Sequence, residues 1–200
     1  AEYEIADCYY QMGNEQEAIA RFNMLRSKYP ESEFAWRVIW WLGEYYYSHN
    51  DIGLARRYFS ALVQDYPNND YVPEAFFILG TINIKEGKYQ EAGDNLKRAL
   101  ETGSLDLKSR AVVALADVYA RQDDFDRSVS VYRDSIEKYP DLAGLIYPKA
   151  GELMYNKGDY AQALDCYRAG LEAAPAGVKT DIELKIAELL QLSGRLQEAR

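Results

Sequence analysis

The stretch Leu79-Gly80-Thr81-Ile82-Asn83-Ile84-Lys85-Glu86-Gly87-Lys88-Tyr89-Gln90-Glu91-Ala92 contains a spacing that recurs along the whole chain. A small residue, Gly80, is followed by Gly87 and then by Ala92, and a large apolar residue, Leu96, comes next. The position of Gly80 is matched by Ala6, Gly43, Ala116, Gly151 and Ala187, separated by 37, 37, 36, 35 and 36 residues. That of Gly87 is matched by Gly13, Asn50, Asp123, Gly158 and Gly194, and that of Ala92 by Ala18, Ala55, Ser128, Ala163 and Ala199. Phe22, Phe59, Tyr132 and Tyr167 fall where Leu96 does, and Pro30, Pro67, Pro140 and Pro175 close most repeats. A period of this length marks an array of repeated supersecondary units.

Each position has a mechanical reason in a helix–turn–helix unit. Two small residues let two helices approach closely. Gly, Asn and Asp are the residues that tolerate the left-handed conformation needed where a helix ends and the chain reverses within one residue. Large apolar residues at helical spacing, such as Phe22 with Leu25 and Phe59 with Leu62, fill the space between hairpins. The pairs Tyr29-Pro30, Tyr66-Pro67 and Tyr139-Pro140 stop the second helix, because a residue before proline is pushed out of the helical region. The third repeat carries Ser104 in place of the proline, and Pro148 falls inside the first helix of the fifth, so that helix is expected to begin late or to kink.

On these residues the chain resembles the tetratricopeptide repeat family. The closest matches to its signature are Leu79-Gly80 through Gly87-Lys88-Tyr89-Gln90-Glu91-Ala92, and Gly158-Asp159-Tyr160-Ala161-Gln162-Ala163. The resemblance implies an all-α, right-handed solenoid of tandem antiparallel helix hairpins. About six units are expected, the first and last incomplete, in a single array over 1–200 with approximate units 1–32, 33–69, 70–105, 106–141, 142–176 and 177–200. The units are longer than the family's 34 residues, with an added turn after the proline at Glu31 to Ala35 and at Asn68 to Val72. In this they are similar to units of bacterial envelope proteins such as outer-membrane assembly lipoproteins and Tol-associated coordinator proteins. That similarity favours the periplasm or the outer membrane over the cytoplasm. The chain is read as a piece of a longer array, with any targeting signal outside it.

In tetratricopeptide proteins the first helix of each hairpin lines a concave face, so the resemblance implies a binding groove. Carried over repeat by repeat, the partner-binding residues are Tyr3, Asp7 and Tyr10; Arg37, Trp40, Glu44 and Tyr47, with Ser48 also inward; Phe77, Thr81 and Lys85; Asp117 and Arg121; and Glu152 and Tyr155. Tyr3, Tyr10, Trp40, Tyr47 and Phe77 form an aromatic cluster where solvent rather than core is expected, and such residues are enriched at binding hot spots. Asp7, Glu44, Asp117, Glu152 and Glu188 repeat a carboxylate at one inward position, which would favour basic or hydroxyl-rich ligands. Two plainer readings stand beside these. The aromatics can be core, and the carboxylates can pair with Arg37, Arg110, Lys85 or Arg121 across neighbouring hairpins.

Composition narrows the function classes. The formal charge of -9 is spread along the chain without a basic patch, which argues against nucleic acid. No apolar stretch approaches the roughly 18 residues of a membrane-spanning helix, so direct membrane insertion is not expected. One histidine, His49, read as a solvated helix end, and two cysteines, Cys8 and Cys166, read as small buried apolar residues, offer no metal set. Nor is there a phosphate-binding loop, so neither an enzyme nor a cofactor is expected. The chaperone-binding members of the family grip a terminal carboxylate with Lys and Asn, and here the matching positions hold aromatics and acids. The leading expectation is a scaffold that binds a peptide or partner protein. A polysaccharide-binding module of an export machine and a purely architectural array are the alternatives, with self-association through exposed array ends compatible with each.

Overall fold

The computed structural model describes residues 2–30, 32 and 34–192. The expected turn at Gly194, the small residue Ala199 and the added-turn residue Glu31 lie outside them. Eleven α-helices and one short 3₁₀ turn, with no strand, make up the described residues. None of these helices is long and apolar enough to cross a membrane. The chain divides into two compact units, Ala1–Lys88 and Tyr89–Arg200.

In the first unit, α1 (Glu2–Gln11) packs on α2 (Glu15–Lys28), and α3 (Ala35–Ser48) on α4 (Ile52–Asp65). α2 then packs on α3, and α4 on α5 (Val72–Lys85). The second unit holds α6 (Tyr89–Thr102), α7 (Leu105–Ala120), α8 (Phe125–Lys138), the 3₁₀ turn Pro140–Leu142, α9 (Ala143–Lys157), α10 (Tyr160–Ala173) and α11 (Ala176–Leu192). There α7 packs on α6 and α8, and α10 on α9 and α11.

The reversal from first to second helix takes one left-handed residue, as the spacing predicts. Gly13, Asn50, Gly87, Asp123 and Gly158 all have positive φ, and for Asn50 and Asp123 the values are 60° and 58°. The next residue closes the first helix and starts the second. Asp51 N–H donates to the Tyr46 carbonyl at 2.8 Å, while its carboxylate accepts from Leu54 N–H at 3.1 Å. Asp124 repeats this with Tyr119 and Arg127, and Asp159 with Met154 and Gln162. Orphaned carbonyls of one helix and orphaned amides of the next are thus satisfied together.

The small and large positions meet in the hairpins α3–α4 and α9–α10, where Gly43 faces Phe59 and Gly151 faces Tyr167. Ala18, Ala55, Ala92 and Ala163 are fully buried, as are Phe22, Phe59 and Leu96. Ser128 takes the alanine position by donating its hydroxyl to the Ala116 carbonyl at 2.8 Å, which satisfies the buried polar group. The closing tyrosines stand outside the helical region, with φ of −133°, −132° and −132° and ψ of 58°, 55° and 75° at Tyr29, Tyr66 and Tyr139. Two of them also reach back one repeat, Tyr66 Oη donating to the Pro30 carbonyl and Tyr139 Oη to that of Leu100. Ser104, standing where a proline is missing, caps α7 by accepting from Leu107 N–H.

Two expectations are corrected. α9 does not begin late: it starts at Ala143 and runs through Pro148, whose ring sits over Gly170 of α10, where a Cβ would meet its Cδ at 3.0 Å. The lost backbone donor at Pro148 is tolerated because its ring fills a hollow that glycine leaves. The cysteines are not small buried residues either, since Cys8 is exposed and Cys166 half-buried; both are free.

Asp123→Ala, which keeps the left-handed residue but loses the tolerance of a short polar side chain, is expected to lower the unfolding free energy by about 1–2 kcal/mol. Asp123→Gly should not lower it, and urea titrations of the two variants make the comparison. A second prediction concerns Tyr45, whose hydroxyl donates to Glu15 Oε2 at 2.7 Å and ties α3 to the start of α2. That hydrogen bond first, and burial second, push the phenol up to about 12. Folded protein therefore holds this proton where unfolded protein releases it, from pH about 10 upward. The resulting stability is present below pH 10 and lost as pH rises through about 12. Tyr45→Phe should shrink the stability lost over that interval, read as urea midpoints at stepped pH.

Candidate functional site

In the first unit, the first helices of the hairpins are α1, α3 and α5, and between them lies a cavity of about 380 Å³. Tyr10 of α1, Trp41, Glu44, Tyr45, Tyr47 and Ser48 of α3, and Ile78 of α5 line it. Four of these, Tyr10, Glu44, Tyr47 and Ser48, belong to the predicted groove. Trp41, Tyr45 and Ile78 do not. The reading from sequence followed Trp40, Glu44, Tyr47 and Ser48, and Trp41 and Tyr45 lie one residue beside that stripe on the same helix. Their spacing of four puts them on one face without showing what that face meets.

The aromatic residues are not free-standing on a solvent-facing surface. Tyr3, Tyr10, Trp40, Tyr47 and Phe77 are all half-buried and packed against the core of this unit. Tyr3 meets Phe22 edge-on at 5.2 Å, and Trp40 lies 5.4 Å from Phe59 and 4.8 Å from Tyr71. Trp41 stacks on Tyr45 at 5.4 Å with 10° between planes, and Tyr10 stands nearly perpendicular to both. The stack continues to His49, whose ring lies 4.1 Å from that of Tyr45, so the exposed helix-end histidine is held rather than merely solvated. The role of Tyr3, Tyr10, Trp41 and Tyr47 is thus double: each packs on the core and also lines a surface depression.

Polar groups complete the cavity. The Thr81 hydroxyl donates to the Ile78 carbonyl at 2.8 Å, which leaves its oxygen to accept from Tyr47 Oη at 3.3 Å. Lys85 Nζ lies 4.8 Å from the centre of the Tyr47 ring. Burial raises the Glu44 carboxyl, the Trp40 side chain opposes this through a hydrogen bond, and the Glu74 charge adds to it. Tyr3 and Arg37 belong to a second depression of about 280 Å³, shared with Leu25, Tyr29, Phe34 and Val38 among others.

The carboxylate series divides by unit. In the second, Asp117 pairs with Arg121 at 2.6 Å, Glu152 with Lys149 at 3.1 Å and Glu188 with Lys185 at 2.9 Å. All three pairs are three or four residues apart on one helix, so the pairing of Arg121 is not across neighbouring hairpins as expected. Helical spacing brings these groups together regardless of tertiary contacts. In the first unit, among the described residues, no Lys or Arg lies at ion-pair distance from Asp7 or Glu44. Glu152, Tyr155 and Glu188 do come together, with Asn156, Tyr167, Lys185 and Leu189, around a cavity of about 300 Å³. Burial, followed by the charges of Glu152 and Glu188, pushes the Tyr167 phenol there up to about 12. Among the described residues, no group of three or more His, Cys, Asp or Glu side chains is placed to hold a metal ion.

Comparison with known proteins gives the same architecture. Among solved structures, MamA is 22% identical over 84% of this chain and 94% of that chain, with a TM-score of 0.62. PilF of Pseudomonas aeruginosa is 16% identical over 99% of this chain and 85% of that one, also at 0.62. YrrB is 19% identical, covering 88% and 86%, at 0.58. At such identities the likeness carries the fold alone. No curated protein sequence matches. The family model described as a tetratricopeptide repeat-like domain matches residues 8–191, and with the left-handed turns and small-to-large packing seen in the hairpins, this chain belongs to that family.

Proposed function

We propose that the protein is a binding scaffold that holds a peptide or an extended segment of a partner protein against α1, α3 and α5. Tetratricopeptide-type proteins generally mediate protein–protein interaction. The observation that carries the reading for this chain is the cavity lined by Tyr10, Trp41, Glu44, Tyr45, Tyr47, Ser48 and Ile78. Its apolar walls are rings locked by packing against one another, so binding there orders few side chains and loses little entropy. Aromatic area with a small number of polar groups at its edge is what recognition pockets use. In support, YrrB, which shares the fold, is described as having an unusual peptide-binding site. The bacterial envelope is the compartment proposed for the encounter, on the strength of the lengthened units.

Selection of short random peptides on the immobilised protein tests the proposal. Peptides so obtained should bind the Tyr47→Ala protein at least about tenfold more weakly in fluorescence polarisation, the loss typical of a hot-spot residue. Ser48→Trp, which obstructs the cavity while leaving the core rings in place, should weaken them as well. Equal affinity for the native protein and both variants, each shown folded by circular dichroism, places binding elsewhere and overturns the proposal.

A further inference from the structure

We propose that the cavity between α1, α3 and α5 receives a basic side chain, arginine or lysine, of the bound peptide, with Glu44 as its counter-charge and the surrounding rings as its walls. This rests on the groove reading above and names the chemistry of the occupant.

Glu44 is the only ionisable group with a full negative charge among the residues that line the cavity, and among the described residues it has no Lys or Arg partner at ion-pair distance. Its surroundings are partly dehydrated, and Glu74 adds a like charge nearby. An apolar occupant would strip further water from this carboxylate and leave its charge uncompensated, which is unfavourable. An acidic occupant would add repulsion. A cation offsets both effects, so charge selects among side chains that fit by size.

The walls favour the same choice. Aromatic faces attract ammonium and guanidinium groups, and more strongly when the site is dehydrated. The protein shows this at one of the lining rings, where its own Lys85 stands 4.8 Å from the centre of the Tyr47 ring. Trp41 and Tyr45 are parallel and Tyr10 is perpendicular to them, an arrangement held by ring packing before anything binds. The aliphatic stem of a basic side chain has Ile78 and these rings to lie against. Over a longer range, α1, α3 and α5 carry Glu2, Glu4, Asp7, Glu44 and Glu74 against Arg37 and Lys85, so a basic peptide is attracted to this face before contact.

The test uses the selected peptides in synthetic form. Each arginine is replaced in turn by citrulline, its neutral isostere, and each lysine by glutamine. One such replacement should weaken binding to the native protein at least about tenfold. In the Glu44→Gln protein most of that preference for charge should be lost, because the counter-charge is gone and only the attraction of the rings remains. Lys85→Gln, which removes a competing cation, should tighten the charged peptide and leave the neutral one unchanged. If peptides weakened by Tyr47→Ala contain no basic residue, or bind Glu44→Gln with the same preference for charge, the basic-side-chain assignment is overturned while the groove reading stands. If neither Tyr47→Ala nor Ser48→Trp weakens any peptide, both fail. Glu44 is exposed, so Glu44→Gln should leave the thermal unfolding curve in place, and a shifted curve with lost charge preference restored by Glu44→Asp would still support the assignment.

Discussion

A Cβ added to Gly43 would stand 3.0 Å from the ring of Phe59, and one added to Gly151 the same distance from Tyr167. This approach of a large ring to a helix that has no side chain to oppose it is the contact on which these two hairpins depend. It brings two helices close, and burial of the ring, fully in Phe59 and nearly so in Tyr167, supplies stabilisation on the scale of the 3–5 kcal/mol that truncating a core aromatic typically costs. The left-handed turn residue before each second helix sets the direction of return, but without the small position the ring would have nowhere to go.

Phe22 shows how the same device links one hairpin to the next. Its ring is fully buried in its own hairpin, touches Tyr3 of α1, and lies 4.2 Å from Trp41 of α3. Trp41 is thereby fixed from one side and stacks on Tyr45 with the other. The core therefore reaches without a break into the wall of the cavity, so a surface feature inherits the rigidity of the interior. This is the physical reason the aromatic residues are at once packing and candidate contact.

Electrostatics distinguishes the repeats that packing makes alike. Where a cation stands three or four residues away on the same helix, the inward carboxylate is neutralised locally, as at Asp117, Glu152 and Glu188. α3 has no Lys or Arg within a turn on the far side of Glu44, and the carboxylate faces rings instead. Exposed pairs of the first kind contribute little to stability. Their larger effect is to remove charge from the surface, which leaves Glu44 as a place where charge remains.

The turn residues, the small and large core positions and the helix-stopping Tyr-Pro pairs were all legible in the sequence, because each acts through local geometry: a positive φ, a missing Cβ, a restricted residue before proline. Even Asn50, Asp123 and Ser128, which depart from the commonest residue at their positions, could be read, since their chemistry allows the same conformation or satisfies its own hydroxyl. That α3 would also turn Trp41 and Tyr45 to the cavity was not legible. Trp40, Trp41, Tyr45, Tyr46 and Tyr47 surround that helix almost completely, and a helix aromatic on every side has no periodicity to show its orientation. Only the packing of Trp41 against Phe22, from another hairpin, decided that Trp41 and Tyr45 join Glu44, Tyr47 and Ser48 at the surface. The helix hairpins are thus determined by short-range backbone rules, and the site by contacts between hairpins that no spacing along the chain encodes.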